Sequence, residues 1–164
     1  MKKYFLILCT ICFSCAEQKS TFVEIYGISF TCPQGWKITE TEDYGTGKYV
    51  SIEKRGLSSS GLVTMSFTEE NFELLEYLQI FQESFKKRKI FTNLVFHPAM
   101  ETFYGKYKGI ASSYTVSVLS VKHTGKIYVF RENGITMAII HQEAMEDHKK
   151  NLRGFEIIKE SLIL

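Results

Sequence analysis

Proline, tryptophan and usable cysteine are scarce in this 164-residue chain: it has two prolines, one tryptophan and four cysteines, and Cys9, Cys12 and Cys15 all fall within the first fifteen positions. So few prolines exclude a proline-rich linker or an extended recognition segment. Beyond the opening only Cys32 carries a thiol, so the body of the chain has no partner for an intramolecular disulfide and no cysteine spacing for a zinc site. Cys32 reads as a small buried hydrophobe in a strand. A run long enough to span a bilayer is missing too, because the apolar stretch that begins at Tyr4 stops at Cys15, short of the roughly 20 residues a spanning helix needs. Charge of one sign is also absent. The 20 Lys+Arg face 18 Asp+Glu, and loss of Lys2 and Lys3 with a leader would leave 18 of each. Without a net field, neither nucleic acid nor electrostatic capture by an anionic membrane is expected as a partner.

What the opening does contain is two lysines, eleven mostly apolar residues and a small residue, the layout of a secretory signal. Cys12-Phe13-Ser14-Cys15 resembles the lipobox of bacterial lipoprotein precursors, in which a diacylglyceryl group is placed on the cysteine and cleavage follows just before it. Ser14 supplies the small residue; Cys12 stands where leucine is usual, and Phe13 is bulkier than the usual residue. The resemblance implies a signal peptide over 1–14, lipidation of Cys15, a tether over 15–21 and one globular domain over 22–164. The membrane partner is then reached through the N-terminal lipid, in the cell envelope. Ala16, rather than an aspartate, follows the cysteine and points to the outer membrane.

The roughly 150 residues that remain can bury on the order of 70% of the surface the unfolded chain exposes, which suits one compact domain. Strand-like runs over 26–32 and 36–40 flank Pro33-Gln34-Gly35, a hairpin-like corner. Alternation over 49–54 and 62–68 predicts two half-buried strands joined by the polar loop 56–61. Leu74, Leu78, Phe81 and Phe85 form an apolar stripe, widened by Phe72 and Leu75, that predicts a helix over 69–89. Thr68 is its expected N-cap, and the basic run 86–89 its C-terminal turn. Strands are predicted around 102–107 and over 110–121, 127–130 and 135–141, with turns at His123-Thr124-Gly125 and at Asn133-Gly134, a strong type I′ signal. Leu152, Phe155, Ile158 and Leu162 predict a closing helix over 145–162, with Gly154 as a weak point.

The fold class expected from this order is α+β: a twisted, mostly antiparallel sheet flanked by helices. At the segment Tyr26 to Trp36, with its Pro33-Gln34-Gly35-Trp36 corner, and in the order of helix, meander and final helix, the chain resembles the PsbP/Mog1-like family. The resemblance covers most of 22–164 and implies an α/β/α sandwich. The family includes photosystem-associated lumenal proteins, a Ran-binding protein and many bacterial lipoproteins, so the fold carries no function with it.

Chemistry-bearing patterns are few. His97, His123, His141 and His148 show no metal-ligand spacing, although His141 and His148 would meet if the last strand folded back along the final helix. Gly56 to Gly61 falls short of a Gly-x-Ser-x-Gly elbow. Gly45-Thr46-Gly47-Lys48 departs from a phosphate loop, with Glu42 in place of the first glycine and Tyr49 in place of the serine or threonine after the lysine. Aromatic and basic residues alternate over 103–109, a pattern equally suited to stacking bases or to a strand bulged at Gly105. No catalytic residue, metal ligand or cofactor is therefore expected. The leading expectation is a non-enzymatic envelope module that binds a protein partner or assists assembly. Its rivals are a small-ligand protein with an aromatic groove over 104–114, and a hydrolase, which a serine or histidine paired with a buried carboxylate would favour. Trp36 is expected to be structural, covering the end of the core beneath a helix.

Overall fold

The computed structural model describes residues 19–56 and 60–164. The expected signal peptide over 1–14, the expected lipidation site Cys15 and most of the expected tether, with Leu57, Ser58 and Ser59 of the polar loop, lie outside the described residues. The first half runs β1 (Thr21–Ile25), β2 (Ile28–Cys32), β3 (Trp36–Asp43), β4 (Gly47–Lys54), β5 (Leu62–Thr68) and α1 (Leu74–Lys86). The second half runs β6 (Phe91–Phe96), β7 (Met100–Tyr104), β8 (Tyr107–Val118), β9 (Val121–Glu132) and β10 (Ile135–Ala144), then a 3-10 turn (Met145–Asp147) and α2 (His148–Ser161).

Eight strands form one sheet in the order β3-β4-β5-β10-β9-β8-β6, with β7 pairing β8 beside β6. Every pairing is antiparallel. Period-2 alternation gives this sheet two apolar faces. On one, Tyr114, Val116, Ile127, Val129, Ala138 and Ile140 pack under Tyr77, Leu78 and Phe85 of α1. On the other, Val50, Ile52, Val63, Met65, Phe67, Met137 and Ile139 pack under Ile28 and Phe30 of β2, Phe155 and Ile158 of α2, and Leu162 just beyond it. Each such side chain contributes about 1.5–3 kcal/mol on burial, so both layers are needed to hold the sheet. The expected α+β sandwich is present.

Several local expectations are corrected. The run 26–32 is not one strand: Tyr26 and Gly27 take φ of 52° and 82°, turning β1 back onto β2 as a separate hairpin. The Pro33-Gln34-Gly35 corner links that hairpin to the main sheet, so it joins two layers and not two paired strands. Thr68 ends β5 and does not cap α1, whose N-cap is Glu73. The carbonyls of Glu70 and Phe72 are taken by Thr136 and Arg131 from the sheet, which keeps 69–73 out of the helical ladder. Leu75 is exposed, and Tyr77 takes its place in the stripe. Only Lys86 of the basic run lies in the last turn, paired with Glu83; Arg88 instead sits over the rings of Phe85 and Phe91.

The expected turn at 123–125 is strand. The chain reverses at Leu119-Ser120, with φ of 48° and 71°, residue types that announce no left-handed turn. Gly125 serves another purpose, because a Cβ there would lie 2.3 Å from Tyr114 Cζ on the neighbouring strand. Gly105 belongs to a tight β7–β8 turn and not to a bulge, and β6 went unread in the sequence. Asn133-Gly134 does form the hairpin turn.

Trp36 is buried at 3% exposure, its ring edge-on to Phe155 at 5.4 Å. Its indole fills the space that two glycines leave: a Cβ on Gly154 of α2 would lie 2.5 Å from Cε2, Cζ2 and Nε1, and one on Gly61 would lie 2.6 Å from Cη2. Gly154 thus lowers the helix's intrinsic propensity so that α2 can lie against the indole. Gly154→Ala gains about 1 kcal/mol of propensity but incurs about 1–3 kcal/mol of overpacking, so a net loss of up to about 2 kcal/mol is expected. Trp36→Ala should lose about 3–5 kcal/mol. Urea unfolding of both variants checks this; a Gly154→Ala midpoint above wild type would show that the indole does not set the spacing.

Candidate functional site

Between α2 and the sheet face it crosses lies a groove of about 370 Å³. Its floor follows from the register of three strands. Side chains directly opposite one another form the rows Ala111/Tyr128/Ile139, Ser113/Lys126/His141 and Thr115/Thr124/Glu143 across β8, β9 and β10. Ala111 and Ser113 are small, and where they face α2 the sheet cannot fill the space beneath the helix. Leu152, Phe155, Glu156 and Lys159 of α2 form the wall, and His148 stands at its head. The β7–β8 turn approaches from the far end, where a Cβ on Gly105 would lie 2.6 Å from the Lys159 carbonyl oxygen.

His141 lies at the centre of the floor, stacked on Phe155 at 4.5 Å and 14° and edge-on to Tyr104 and Tyr128. Its Nε2 is 3.1 Å from the Tyr104 hydroxyl. Burial above all, then the charges of Lys159 and Lys126, pushes its pKa down to about 3, so the ring is neutral at ordinary pH. Burial also raises the Tyr104 and Tyr128 phenols. One row away, His148 Nδ1 lies 2.7 Å from Glu143 Oε1. Glu143 is buried, and its Oε2 has no hydrogen-bond partner among the described residues, whereas His148 is largely exposed and covers it. The Lys126 ammonium lies 4.9 Å from the Tyr128 ring centre. Neither Lys126 nor Lys159 makes an ion pair among the described residues.

The structure brings His141 and His148 to one groove, as a folded-back strand requires, but gives them different partners. His97 is exposed after β6, and His123 is half-buried within β9. The aromatic groove expected over 104–114 is not there: Tyr104, Tyr107 and Tyr114 are buried, and of that segment only Ser113 lines the cavity. Packing, and not a bulged stacking surface, therefore accounts for the 103–109 pattern, where Tyr107 stacks on Phe130 at 4.9 Å. Gly45 and Thr46 lie in the β3–β4 hairpin loop, where Gly45 N–H donates to Asp43 Oδ1 at 2.8 Å, and Gly47 and Lys48 begin β4. Ser60, the described serine of the polar loop, donates to buried Asp147 Oδ2 at 3.0 Å and accepts from Ala144 N–H at 2.6 Å. A hydrogen bond from Lys150 and, after it, those from Ser60 hold the Asp147 carboxyl below its ordinary pKa.

Two histidine or serine pairings with a buried carboxylate are thus present, but they are separate. Ser60 serves Asp147 and the start of α2, and His148 serves Glu143. Among the described residues no group of three or more His, Cys, Asp and Glu is placed to hold a metal, and no helix is long and apolar enough to cross a membrane. Sequence reasoning missed Lys126, Tyr128, Glu143 and Lys159 as groove residues. A signal was available in the small residues of the 111–113 stretch and in the charged Glu143 that ends an apolar strand.

No sequence-family model matches the chain, and neither does any curated protein sequence. Solved structures do resemble it. Cyanobacterial PsbP (CyanoP) from Synechocystis sp. PCC 6803 superposes with a TM-score of 0.59 at 11% identity, over 93% of this chain and 96% of that one. The chain has a PsbP-like fold. LpqN of Mycobacterium tuberculosis, described as involved in cell envelope biogenesis, superposes at 0.52 with 12% identity over 87% of this chain and 88% of its own. A Bacteroides thetaiotaomicron protein gives 0.54 and 12% over 83% of this chain and 44% of that one.

His141 also links the groove to acid stability. Its folded pKa, about 3, lies below the ordinary 6.5, so the unfolded chain takes up the proton first. The stabilisation is complete above about pH 6.5 and is lost as pH falls toward 3, by on the order of a few kcal/mol. His141→Phe keeps a stacked ring but removes the titration, at about 1 kcal/mol for the orphaned Tyr104 hydroxyl. Urea midpoints at pH 7 and pH 4 should show the wild type losing more stability on acidification than the variant; parallel losses would place this proton uptake elsewhere.

Proposed function

We propose that the protein is an exported lipoprotein that acts as a non-enzymatic binding module at an envelope membrane, taking its ligand in the groove beneath α2. The groove carries the binding reading: it is concave, has an apolar wall and a polar floor, and presents two lysines without ion-pair partners. That geometry favours a bound ligand over a flat protein contact. Against the hydrolase reading, which a serine or histidine paired with a buried carboxylate favours, the Ser60–Asp147 and His148–Glu143 pairs share no residue, so the serine is not joined to the histidine as a nucleophile is to its base.

The envelope location rests on the leader and on the lipobox-like residues that end at Cys15. The fold shared with an envelope-biogenesis protein is compatible with it. A protein partner remains the second reading, supported by Val95, Met100 and Phe103, which are more than half exposed on the β6 and β7 edge.

Cys15→Ser should abolish incorporation of a fatty-acid analogue and either release the protein from the membrane fraction or leave an unprocessed precursor. Each buried CH₂ of an acyl chain is worth about 0.8 kcal/mol, so several chains hold what a bare tether does not. Equal labelling of wild type and variant would remove the lipid anchor from the proposal. Separation of inner and outer membranes of the wild type tests the outer-membrane placement that Ala16 suggests.

A further inference from the structure

The polarity of the groove is uneven. Leu152 and Phe155 on the wall are apolar, while Lys126, whose ammonium lies over the Tyr128 ring on the floor, and Lys159 on the wall bring two ammonium groups to it. The charges of both lysines are felt by His141 on the floor. Elsewhere in the described chain four lysines find acids, Lys48 with Glu69, Lys86 with Glu83, Lys108 with Glu101 and Lys150 with Asp147. The rest make no ion pair but are exposed, apart from Lys54, which donates to the Lys150 carbonyl, whereas Lys126 and Lys159 are half-buried. The two acids that line the groove are already engaged, Glu143 by His148 and Glu156 by Arg153. Apart from the Tyr128 ring face under Lys126, the described chain supplies these two lysines with no counter-charge.

We propose, resting on the reading of this groove as the binding site, that it holds the anion of a medium-chain fatty acid, with the carboxylate between Lys126 and Lys159 and the chain along Tyr128, Phe155 and Leu152. From Leu152 to Lys159 the helix rises about 10 Å, the span of a medium-length chain and not of a small anion. A carboxylate alone would leave the apolar wall uncovered, and an uncharged chain would desolvate two ammonium groups without pairing them, which costs more than it gains. Two point charges reaching in from floor and wall suit a head with two oxygens. The neutral His141 on the floor adds no third charge.

Histidine-labelled full-length lipoprotein in a nonionic detergent can be titrated with decanoate and followed by NMR of the ring C–H signals. Partition into micelles is common to wild type and variants, so the difference between them reads the groove. Decanoate should shift the His141 and His148 signals saturably and leave His123, away from the groove, unmoved. Lys126→Gln with Lys159→Gln should weaken this at least about tenfold. If the double variant unfolds, Lys159→Gln alone, on the helix surface, carries the comparison. Acetate and decanol should leave both signals in place. If decanol or acetate shifts them as decanoate does, the groove is a site but the fatty-acid anion is the wrong occupant. If no probe moves either signal, both the occupant and the reading of the groove as a small-ligand site are overturned.

Discussion

The contact between the Trp36 indole and two glycines fixes where α2 lies, and the groove depends on that placement. A tryptophan wedge between a helix and a sheet would ordinarily hold the two apart. Here Gly154 and Gly61 remove the side chains that would do so, and α2 comes down far enough for Phe155 to reach both the indole and His141. At that height the helix covers the large side chains of β10 but passes over the small ones of β8. The cavity is the remainder of a fit set at the other end of the layer. Close interior packing transmits such a constraint over distance, because side chains in a dense core have few alternative arrangements.

Much of the architecture was legible in the sequence because it rests on periodicity. The strand over 62–68 matched in full, the Asn133-Gly134 turn formed as written, and both helices fall within their predicted spans, although in α2 the buried face is Asn151, Gly154, Phe155 and Ile158, with Leu152 exposed and Leu162 beyond the helix end. Local errors came where tertiary contacts overrode local signals. Gly125 resembles a turn residue but is a landing place for Tyr114, and Leu119-Ser120 turns the chain without glycine or asparagine. Helix α1 starts late because sheet side chains claim the carbonyls that would have begun its ladder. The groove was less legible still, since it is assembled from single residues on three strands and a helix. Only register, which sequence spacing does not supply, puts Ser113, Lys126 and His141 in one row.

The charges in the groove have a further physical coherence. A buried imidazole near two ammonium groups is held neutral by its surroundings, and a neutral ring can stack on Phe155 without a counter-ion. The Tyr104 hydroxyl supplies the hydrogen bond that a buried ring nitrogen needs. Glu143 and His148 form a second unit one row away, in which an exposed residue at the start of α2 covers a buried carboxylate. The groove thus joins a neutral imidazole, a carboxylate covered by His148, and two lysines without ion-pair partners among the described residues.

Strand β8 is shared end to end by two short neighbours, β7 along its first half and β6 along its second, with Pro98 in the link between them. The sheet therefore has no continuous outer strand on that side. What it presents is two pieces, of five and six residues, and the longer one is broken in register between Thr92 and Val95. On the opposite side β3 is bulged between Ile38 and Glu40 and carries Glu40, Glu42 and Asp43. An open sheet margin is a template on which another chain can add a strand, and irregular, short or charged margins resist it. A divided margin lets copies of the chain meet at high local concentration, as the proposed lipid anchor would impose, without growing into a shared, ever-lengthening sheet.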